Sequence, residues 1–222
     1  MKLAIFDVDG TLVDSQAHIV ASMEAAFAAV GRPAPNRDAI LSIVGLSLPV
    51  AMSVLAADAG DAARAEMAEA YKDEFHRRRL ALGAAAAPLY PGAQGAIERL
   101  AARDDVLLAI ATGKSRRGLQ ALLDDWPFAH HFVSTQCADD HPSKPHPSMV
   151  FACLADCGVE EQDAVVIGDT TYDIEMAAAA GVAGVGVSWG NHSKATLLER
   201  GARCVVDSFD DLDAGLDAIW ET

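Results

Sequence analysis

Two aspartates that follow a short apolar segment are the residues of this chain most suited to chemistry. Residues 3–6 are apolar and lead into Asp7-Val8-Asp9-Gly10-Thr11, a pattern typical of a buried strand followed by a turn. Residues two apart in an extended backbone point to the same side, so both carboxylates should project from the carboxyl end of that strand. Such a pair is costly unless a cation or a shared proton offsets the repulsion. It predicts a metal site, a nucleophile with an acid/base partner, or both.

Polar residues also follow three further strands that the hydrophobic pattern predicts. Ligands bind at the carboxyl ends of the strands in open α/β sheets, so these residues are candidates for the same site. They offer a hydroxyl and a backbone amide for an anion, an ammonium group, and carboxylates. The hard oxygen ligands favour Mg²⁺. The candidates are Thr112, Gly113, Lys144, Asp169 and, one helical turn further on, Asp173.

Each of these candidates taken alone also has a structural interpretation. Thr112 and Gly113 fit an ordinary turn, and Lys144 fits a solvated loop. Thr170 and Asp173 match the capping box that begins many helices. The aspartates after the first strand are harder to explain by packing, since carboxylates gain nothing from burial. The joint occurrence of these residues at successive strand ends favours a functional site.

The pattern along the chain divides it into an α/β part and a helical insert. Four helices with little strand signal between them are predicted within residues 18–82, the second of them over residues 37–44. From residue 90 onward helices alternate with strands, including a short one near residues 132–133, which predicts a parallel sheet covered by helices on both faces. The strand at residues 3–6 belongs to that sheet by composition. We therefore predict a Rossmann-like α/β core at residues 1–14 and 85–222, with an inserted α-helical domain at residues 15–84.

The bulk composition narrows the class of protein and of partner. The chain has 222 residues, 51% of them hydrophobic, and a formal net charge of −15. This acidity argues against binding to nucleic acid or to anionic membranes, although a local positive site for an anionic substrate is compatible with it. Without a visible signal peptide or membrane span, the four cysteines are expected to be reduced thiols in a cytoplasmic protein. We expect a monomer or a homodimer.

The motifs in this order resemble those of the haloacid dehalogenase superfamily of phosphotransferases, over essentially the whole chain. They are Asp7-Val8-Asp9-Gly10-Thr11-Leu12-Val13-Asp14-Ser15, Ala111-Thr112-Gly113-Lys114, Lys144-Pro145 and Gly168-Asp169-Thr170-Thr171-Tyr172-Asp173. The insert directly after the first motif resembles the helical cap that one type of member carries there. Leu89-Tyr90-Pro91-Gly92 and Ser143-Lys144-Pro145-His146-Pro147 are most similar to the phosphoglycolate phosphatase-like group.

The resemblance implies a role for each motif residue. Asp7 would be the nucleophile that forms an aspartyl-phosphate, and Asp9 the general acid and then the base that activates water. Asp7, the backbone carbonyl of Asp9, and Asp169 would bind Mg²⁺. Thr112 and the Gly113 amide would hold the phosphoryl oxygens. Lys144 would offset the negative charge, and Asp173 would orient the metal shell or Lys144.

Other residues are candidates for contact with the rest of the substrate. Arg116 and Arg117 follow the second motif and are placed to bind a second anionic group, such as a carboxylate; the alternative is a solvated helix start. Residues 45–48 resemble the specificity loop of the cap. The histidines between His130 and His146 fit no standard zinc pattern.

The first functional hypothesis is a Mg²⁺-dependent phosphatase for a small phosphorylated metabolite such as 2-phosphoglycolate. A phosphomutase of the β-phosphoglucomutase type shares Asp7 and Asp9 and is the alternative. A phospho-acceptor signalling domain of the receiver kind is disfavoured by the insert and by the Asp-x-Asp spacing. A non-catalytic relative has little support, because all the motif residues are present. An acid at Asp9 favours phosphate chemistry over dehalogenation.

Overall fold

A six-stranded, fully parallel sheet forms the centre of the molecule. The computed structural model describes residues 1–221, so Thr222, the last residue of the predicted core, lies outside the described residues. The strand order is β3-β2-β1-β4-β5-β6, which places β1 between β2 and β4. The strands are β1 (Lys2–Phe6), β2 (Val106–Thr112), β3 (Phe132–Cys137), β4 (Ala164–Gly168), β5 (Ala183–Val187) and β6 (Cys204–Val206).

Ten α-helices surround or extend from this sheet within the described residues. Four of them form the insert that follows β1, namely α1 (Gln16–Ala29), α2 (Arg37–Leu41), α3 (Leu48–Leu55) and α4 (Asp61–Leu82). The other six are α5 (Ala93–Ala101), α6 (Arg116–Leu123), α7 (Ser148–Cys157), α8 (Thr171–Ala179), α9 (Lys194–Glu199) and α10 (Leu212–Trp220). The fold class predicted from the sequence, an α/β core with an inserted helical cap, is confirmed.

Both faces of the sheet are buried, as a parallel sheet requires. Alternate residues of β1 point to opposite faces. Ala4 and Phe6 pack into the apolar cluster under α5, α6 and α10, whereas Leu3 and Ile5 pack into the cluster under α7 and α8. The central strand is thus held from both sides, and the residues at its carboxyl end have a rigid support.

The inserted helices have an apolar cluster of their own. Residues from α1 to α4, among them Met23, Ile40, Met52 and Met67, pack together apart from the two clusters at the sheet. Where the chain leaves and re-enters the core, the two crossings lie side by side. Asp14 donates its backbone N–H to the Pro88 carbonyl at 2.8 Å, and Val13 forms a bridge with Leu89. The exact limits of the two parts, residues 15–84 for the insert, stay a prediction.

Three elements differ from the pattern expected from the sequence. Strand β3 extends to Cys137 rather than ending near residue 133, because its polar residues at an edge of the sheet give no apolar signal. The helix predicted over 37–44 ends at Leu41. Helix α10 was not predicted, although Leu212 and Leu216 lie four residues apart and are fully buried.

Candidate active site

Three carboxylates and one ammonium group meet at the carboxyl ends of β1 and β4. Asp7 follows β1, and Asp173 lies in the first turn of α8, directly after β4. Lys144, from the loop before α7, donates hydrogen bonds to Asp7 Oδ1 at 2.7 Å and to Asp173 Oδ1 at 2.6 Å. Asp169 completes the set: oxygens of Asp7, Asp169 and Asp173 all lie within 4.8 Å of one another. All four side chains are buried.

Burial dominates the electrostatics of this cluster. It raises the pKa of Asp7 to about 7, with Lys144 opposing the shift and Asp173 and Asp9 adding to it. The pKa of Asp169 is raised well above its ordinary value by burial and by repulsion from Asp7 and Asp173. Burial alone would lower the pKa of Lys144, but its two carboxylate partners outweigh this and raise it. Lys144 is therefore a permanent cation, the single ammonium group among three carboxylates.

Asp169 is held in one orientation from two sides. Thr11 donates its hydroxyl to Asp169 Oδ1 at 3.1 Å, and Asn191 donates both its backbone and its side-chain N–H to Oδ2 at 2.7 and 2.8 Å. Gly10 and Gly190 lie against the carboxylate so closely that a Cβ on either would collide with Asp169. Gly10 also has a φ of +86°, which other residues rarely adopt. These two glycines make room for the carboxylate at the edge of the cluster.

Asp173 has no free oxygen in this arrangement. Its Oδ2 accepts hydrogen bonds from the Thr170 backbone N–H at 3.1 Å and from the Thr170 hydroxyl at 2.7 Å, and its Oδ1 accepts from Lys144. The capping box expected from the sequence is thus present, and the same residue also orients Lys144. Asp173 acts as a positioning group for the ammonium.

The Asp9 carboxylate faces a different partner. Lys114 donates from Nζ to both of its oxygens at 2.8 Å, and Ser15 donates its hydroxyl to Oδ1 at 2.6 Å. Asp9 therefore has an ion-pair partner different from that of Asp7, namely a lysine in the loop that follows β2.

Thr112 and Gly113 lie where β2 ends, beside the inserted helices. Thr112 is buried, and its hydroxyl oxygen accepts a hydrogen bond from the Lys114 backbone N–H at 3.3 Å. A Cβ on Gly113 would collide with the backbone carbonyl of Gly45, in the loop predicted as the specificity loop. The next residues of that loop reach the core as well, since the Ser47 backbone N–H donates to the Ser143 hydroxyl at 2.8 Å. The cap is closed onto the strand ends.

Arg116 is not brought to this cluster. Its guanidinium donates to the Thr135 carbonyl at 2.9 Å and pairs with Asp140 at 2.5 Å, at the start of α6. Arg117 is exposed. The expected contact of Arg116 with a second anion of the substrate finds no support in these contacts, because Asp140 and Thr135 already occupy its guanidinium. Similarly, His141 bonds to Gln136 and Ser148, and His130 to the Pro127 carbonyl.

The donor set fits a divalent cation. Among the described residues, Asp7 Oδ2 is buried and has no hydrogen-bond partner. Three carboxylates face one ammonium group, so full ionisation leaves two negative charges, which one divalent cation would neutralise. Oxygens on opposite sides of a Mg²⁺ ion lie about 4.2 Å apart, close to the spread within this group. Asp7 and Asp169, whose hard oxygens lie within 4.8 Å of each other, can hold a metal here.

Sequence reasoning missed several residues that shape the site. Asn191, which fixes Asp169, follows β5, and the strand ends considered as candidates stopped at β4. The position of Asn191 four residues beyond a buried strand was a usable signal. Lys114 was part of a quoted motif, but its pairing with Asp9 spans 105 residues and only the fold reveals it.

Comparison with known proteins agrees with this site. The sequence profile of the family described as haloacid dehalogenase-like hydrolase matches residues 4–187. A Dickeya dadantii protein named "Probable phosphatase IndB" is 32% identical over 220 residues, covering 98% of this chain and 94% of that protein. The phosphoglycolate phosphatase of Pseudomonas savastanoi pv. phaseolicola is 30% identical over 217 residues, with coverages of 96% and 79%. A crystal structure of a hydrolase from Pseudomonas syringae superimposes with a TM-score of 0.85 at 25% identity over 99% of both chains.

The fold and the acidic site thus define a hydrolase with an α/β core and a helical cap. The chain belongs to the haloacid dehalogenase-like hydrolase family and is an enzyme of the phosphatase kind. The family resemblance expected from the motifs is confirmed. Among residues 1–221, none of the helices combines the length and apolar composition needed to cross a membrane.

Proposed function

We propose that this protein is a Mg²⁺-dependent phosphatase that hydrolyses a small phosphomonoester of the 2-phosphoglycolate kind through an aspartyl-phosphate on Asp7. The observation that carries the proposal is the buried, unpartnered Oδ2 of Asp7, beside Lys144 and within 4.8 Å of Asp169. A carboxylate oxygen buried without a partner is costly, and such a group marks a place where function outweighs stability. The relatives named phosphoglycolate phosphatase support this choice of substrate.

The first half of the reaction uses Asp7 and Asp9 in turn. An oxygen of Asp7 attacks phosphorus, the bond between phosphorus and the ester oxygen breaks, and the proton of Asp9 moves to the leaving alcohol. In the second half a water attacks the phosphoryl group, Asp9 takes its proton, and the bond to Asp7 breaks. Inorganic phosphate leaves and Asp7 is regenerated. The Asp9 carboxylate is free to act once Lys114 and Ser15 release it.

The neighbours of Asp7 stabilise the charge that develops on the phosphoryl oxygens. Lys144, fixed by Asp173, supplies a compact cation beside Asp7. The Thr112 hydroxyl and the Gly113 amide at the end of β2 are donors for phosphoryl oxygens, a role that needs them close to Asp7. When bound by Asp7 and Asp169, Mg²⁺ would neutralise phosphoryl charge and orient the group for in-line attack. The Asp9 backbone carbonyl is the third protein ligand that we propose.

The cap is proposed to exclude water while the phosphoryl group is transferred. The contacts of Gly45 with Gly113 and of Ser47 with Ser143 close the specificity loop over the strand ends. Closure strengthens electrostatic interactions in the site and keeps bulk water away from the phosphoryl group while it is transferred.

Phosphate release from a panel of small phosphomonoesters tests the proposal. We expect release that requires Mg²⁺, is abolished by a chelator, and is fastest for an ester such as 2-phosphoglycolate. β-Glucose 1-phosphate belongs in the panel, with glucose 6-phosphate measured as a product, because a mutase would convert it without net release. Metal-independent release, or isomerisation without release, would contradict the proposal.

Substitution of Gly113 by alanine tests the role of cap closure. The added Cβ collides with the Gly45 carbonyl, so the cap should stop short of the closed position. We expect kcat/KM to fall by about 10- to 100-fold, because small displacements at a reacting centre have effects of that size. The melting temperature should change little, since opening relieves the collision.

Gly60→Ala is the matched control: no atom lies within 4 Å of its added Cβ, and wild-type rates are expected. Equal rates for both variants would exclude a need for this contact.

A further inference from the structure

A small cavity lies between the cap and the core, next to the Asp9 ion pair. Its volume is about 10 Å³, room for roughly one water-sized sphere. His18 of α1 and Phe75 of α4 line it from the cap, and Lys114 lines it from the core. Ala86 and Ala87, at the return crossing, form a wall of small side chains. Since its walls come from both parts, a slight opening of the cap widens the cavity.

His18 presents an unused polar atom in this buried region. Its side chain is only 4% exposed, and Nε2 lies 2.9 Å from the Phe75 backbone carbonyl. A carbonyl only accepts, so Nε2 carries the proton of this hydrogen bond. The other ring nitrogen, Nδ1, is buried and has no hydrogen-bond partner in the described part of the chain. A buried polar atom without a partner is costly, so Nδ1 is available to a polar group that enters the cavity.

Lys114 is the cation on the opposite wall. Its ammonium group has three N–H donors, and the described residues provide acceptors only on Asp9. It lies 5.0 Å from the centre of the Phe75 ring, against the same residue whose carbonyl holds His18. A donor on Lys114 and the Nδ1 of His18 thus flank the cavity from the core and from the cap.

The charges around His18 favour an anion in this place. Burial is the largest effect and lowers the pKa of His18; the Phe75 carbonyl opposes it, the cations Lys114 and Arg78 lower the pKa further, and Asp9 raises it. Arg79, from the same helix as Arg78, lines the cavity as well. A carboxylate bound here would be attracted by the same cations and would draw a proton onto Nδ1, converting that nitrogen into a donor.

We propose that His18 and Lys114 form the subsite that binds the carboxylate of the substrate, an inference that rests on the proposed function. The position suits an ester such as 2-phosphoglycolate, whose carboxylate carbon lies two bonds from the ester oxygen. Asp9 must reach that oxygen to protonate it, so the carboxylate must lie within a few ångströms of Asp9. Lys114 is 2.8 Å from Asp9. This subsite replaces the contact with Arg116 that the sequence suggested.

The subsite also connects binding to the chemistry. Lys114 donates to both Asp9 oxygens at 2.8 Å. A substrate carboxylate competes for that ammonium group, and it thereby frees Asp9 to turn toward the leaving oxygen. An ester without a carboxylate leaves the Lys114–Asp9 pair intact. The carboxylate should therefore raise kcat as well as lower KM.

The test compares two esters that differ mainly in the carboxylate, 2-phosphoglycolate and ethyl phosphate. Kinetic constants for Mg²⁺-dependent phosphate release give a preference ratio, kcat/KM for the first divided by kcat/KM for the second. His18→Gln retains a donor for the Phe75 carbonyl but has no atom at the Nδ1 position. We expect it to lower the ratio by about 10- to 100-fold, the size of a lost charge-assisted hydrogen bond. Lys114→Met should lower it at least as much.

Two further variants separate recognition from folding. His18→Asn places an amide near the Nδ1 position and should recover part of the preference that His18→Gln loses. His76→Gln changes an exposed histidine of α4 and should keep the wild-type ratio. Melting temperatures identify any variant that is merely unfolded.

The outcomes distinguish the two levels of the proposal. If the wild type hydrolyses both esters and His18→Gln slows both equally, the subsite is wrong while the phosphatase proposal stands. If the wild type shows no preference for 2-phosphoglycolate, the subsite is likewise wrong. If the wild type releases phosphate from neither ester, the proposed function fails and the subsite fails with it. The subsite is supported if His18→Gln and Lys114→Met both lower kcat/KM for 2-phosphoglycolate more than kcat/KM for ethyl phosphate.

Discussion

The Asp7→Asn variant should release phosphate at a rate lower than the wild type by a factor of at least about 10⁴, the scale on which a missing nucleophile acts. Asparagine has the size and shape of aspartate, and its Oδ1 can still accept the hydrogen bond from Lys144. Its amide cannot attack phosphorus to give a stable covalent intermediate. Phosphate release under saturating Mg²⁺ measures the loss.

The same variant should be at least as stable as the wild type. The pKa of Asp7 in the folded protein is raised from the ordinary 3.8 to about 7, so the unfolded chain releases this proton at lower pH than the folded one. Stability in the absence of metal should therefore fall as pH rises between these two values. Asparagine has no proton to release, and its curve should be flatter over that range. Urea unfolding at several pH values, with a chelator present, gives both curves.

A result of either kind would overturn this assignment. Residual activity within tenfold of the wild type would show that Asp7 is not the nucleophile. A marked loss of stability in Asp7→Asn would show that its negative charge holds the fold together, contrary to the burial, and the added repulsion from Asp173 and Asp9, that raise its pKa. Asp213→Asn, on the surface helix α10, is a control for the substitution itself, since Asp213 pairs only with Arg99 at the surface.

Replacement of Lys144 by methionine should have the largest effect on stability. The Lys144 side chain is 0% exposed and bonds to Asp7 at 2.7 Å and to Asp173 at 2.6 Å. Its removal leaves two buried carboxylates without their cation. Breaking a buried ion pair by removing one partner typically costs about 3–5 kcal/mol. We also expect kcat to fall by about 10²- to 10³-fold, because a fixed positive charge beside the reacting phosphoryl group is lost.

The control and a second substitution make this prediction specific. Lys194→Met removes an exposed lysine that pairs with Asp207 at the surface, and should change the free energy of unfolding by less than about 1 kcal/mol. Adding Asp173→Asn to Lys144→Met removes one of the stranded charges and should restore part of the lost stability, though not the activity. Urea unfolding and phosphate release measure the two effects. An unchanged free energy of unfolding in Lys144→Met would contradict the ion-pair account.

The fold was largely predictable because its signals are local. Short apolar segments separated by helical periodicity predict a parallel sheet with helices on both faces, and the apolar residues 3–6 assign β1 to that sheet. The edge strand β3 and the last helix gave weaker signals. In β3 the residues from Ser134 to Gln136 are polar, because one side of an edge strand has no neighbour to pack against.

The candidate site was predictable to the extent that chemistry concentrates at strand ends. Asp7, Asp169, Asp173 and Lys144 meet there in the structure. The partners of Lys114 and Arg116 were beyond sequence reasoning. Whether Lys114 faces Asp9 or Arg116 faces the substrate depends on side-chain directions that the assembled fold decides.

The covalent intermediate on Asp7 is the central claim, and trapping it is the most direct measurement. In Asp9→Asn both the acid for the leaving group and the base that activates water are missing, so the phosphorylated enzyme should accumulate when Mg²⁺ and acetyl phosphate, whose acetate leaving group needs no proton, are added. Acid quenching followed by peptide mass spectrometry should locate one phosphoryl group on Asp7, and none in Asp7→Asn treated in the same way. Turnover of the wild type with no phosphoryl group trapped on Asp7 in either enzyme, or with the group on another residue, would contradict the account.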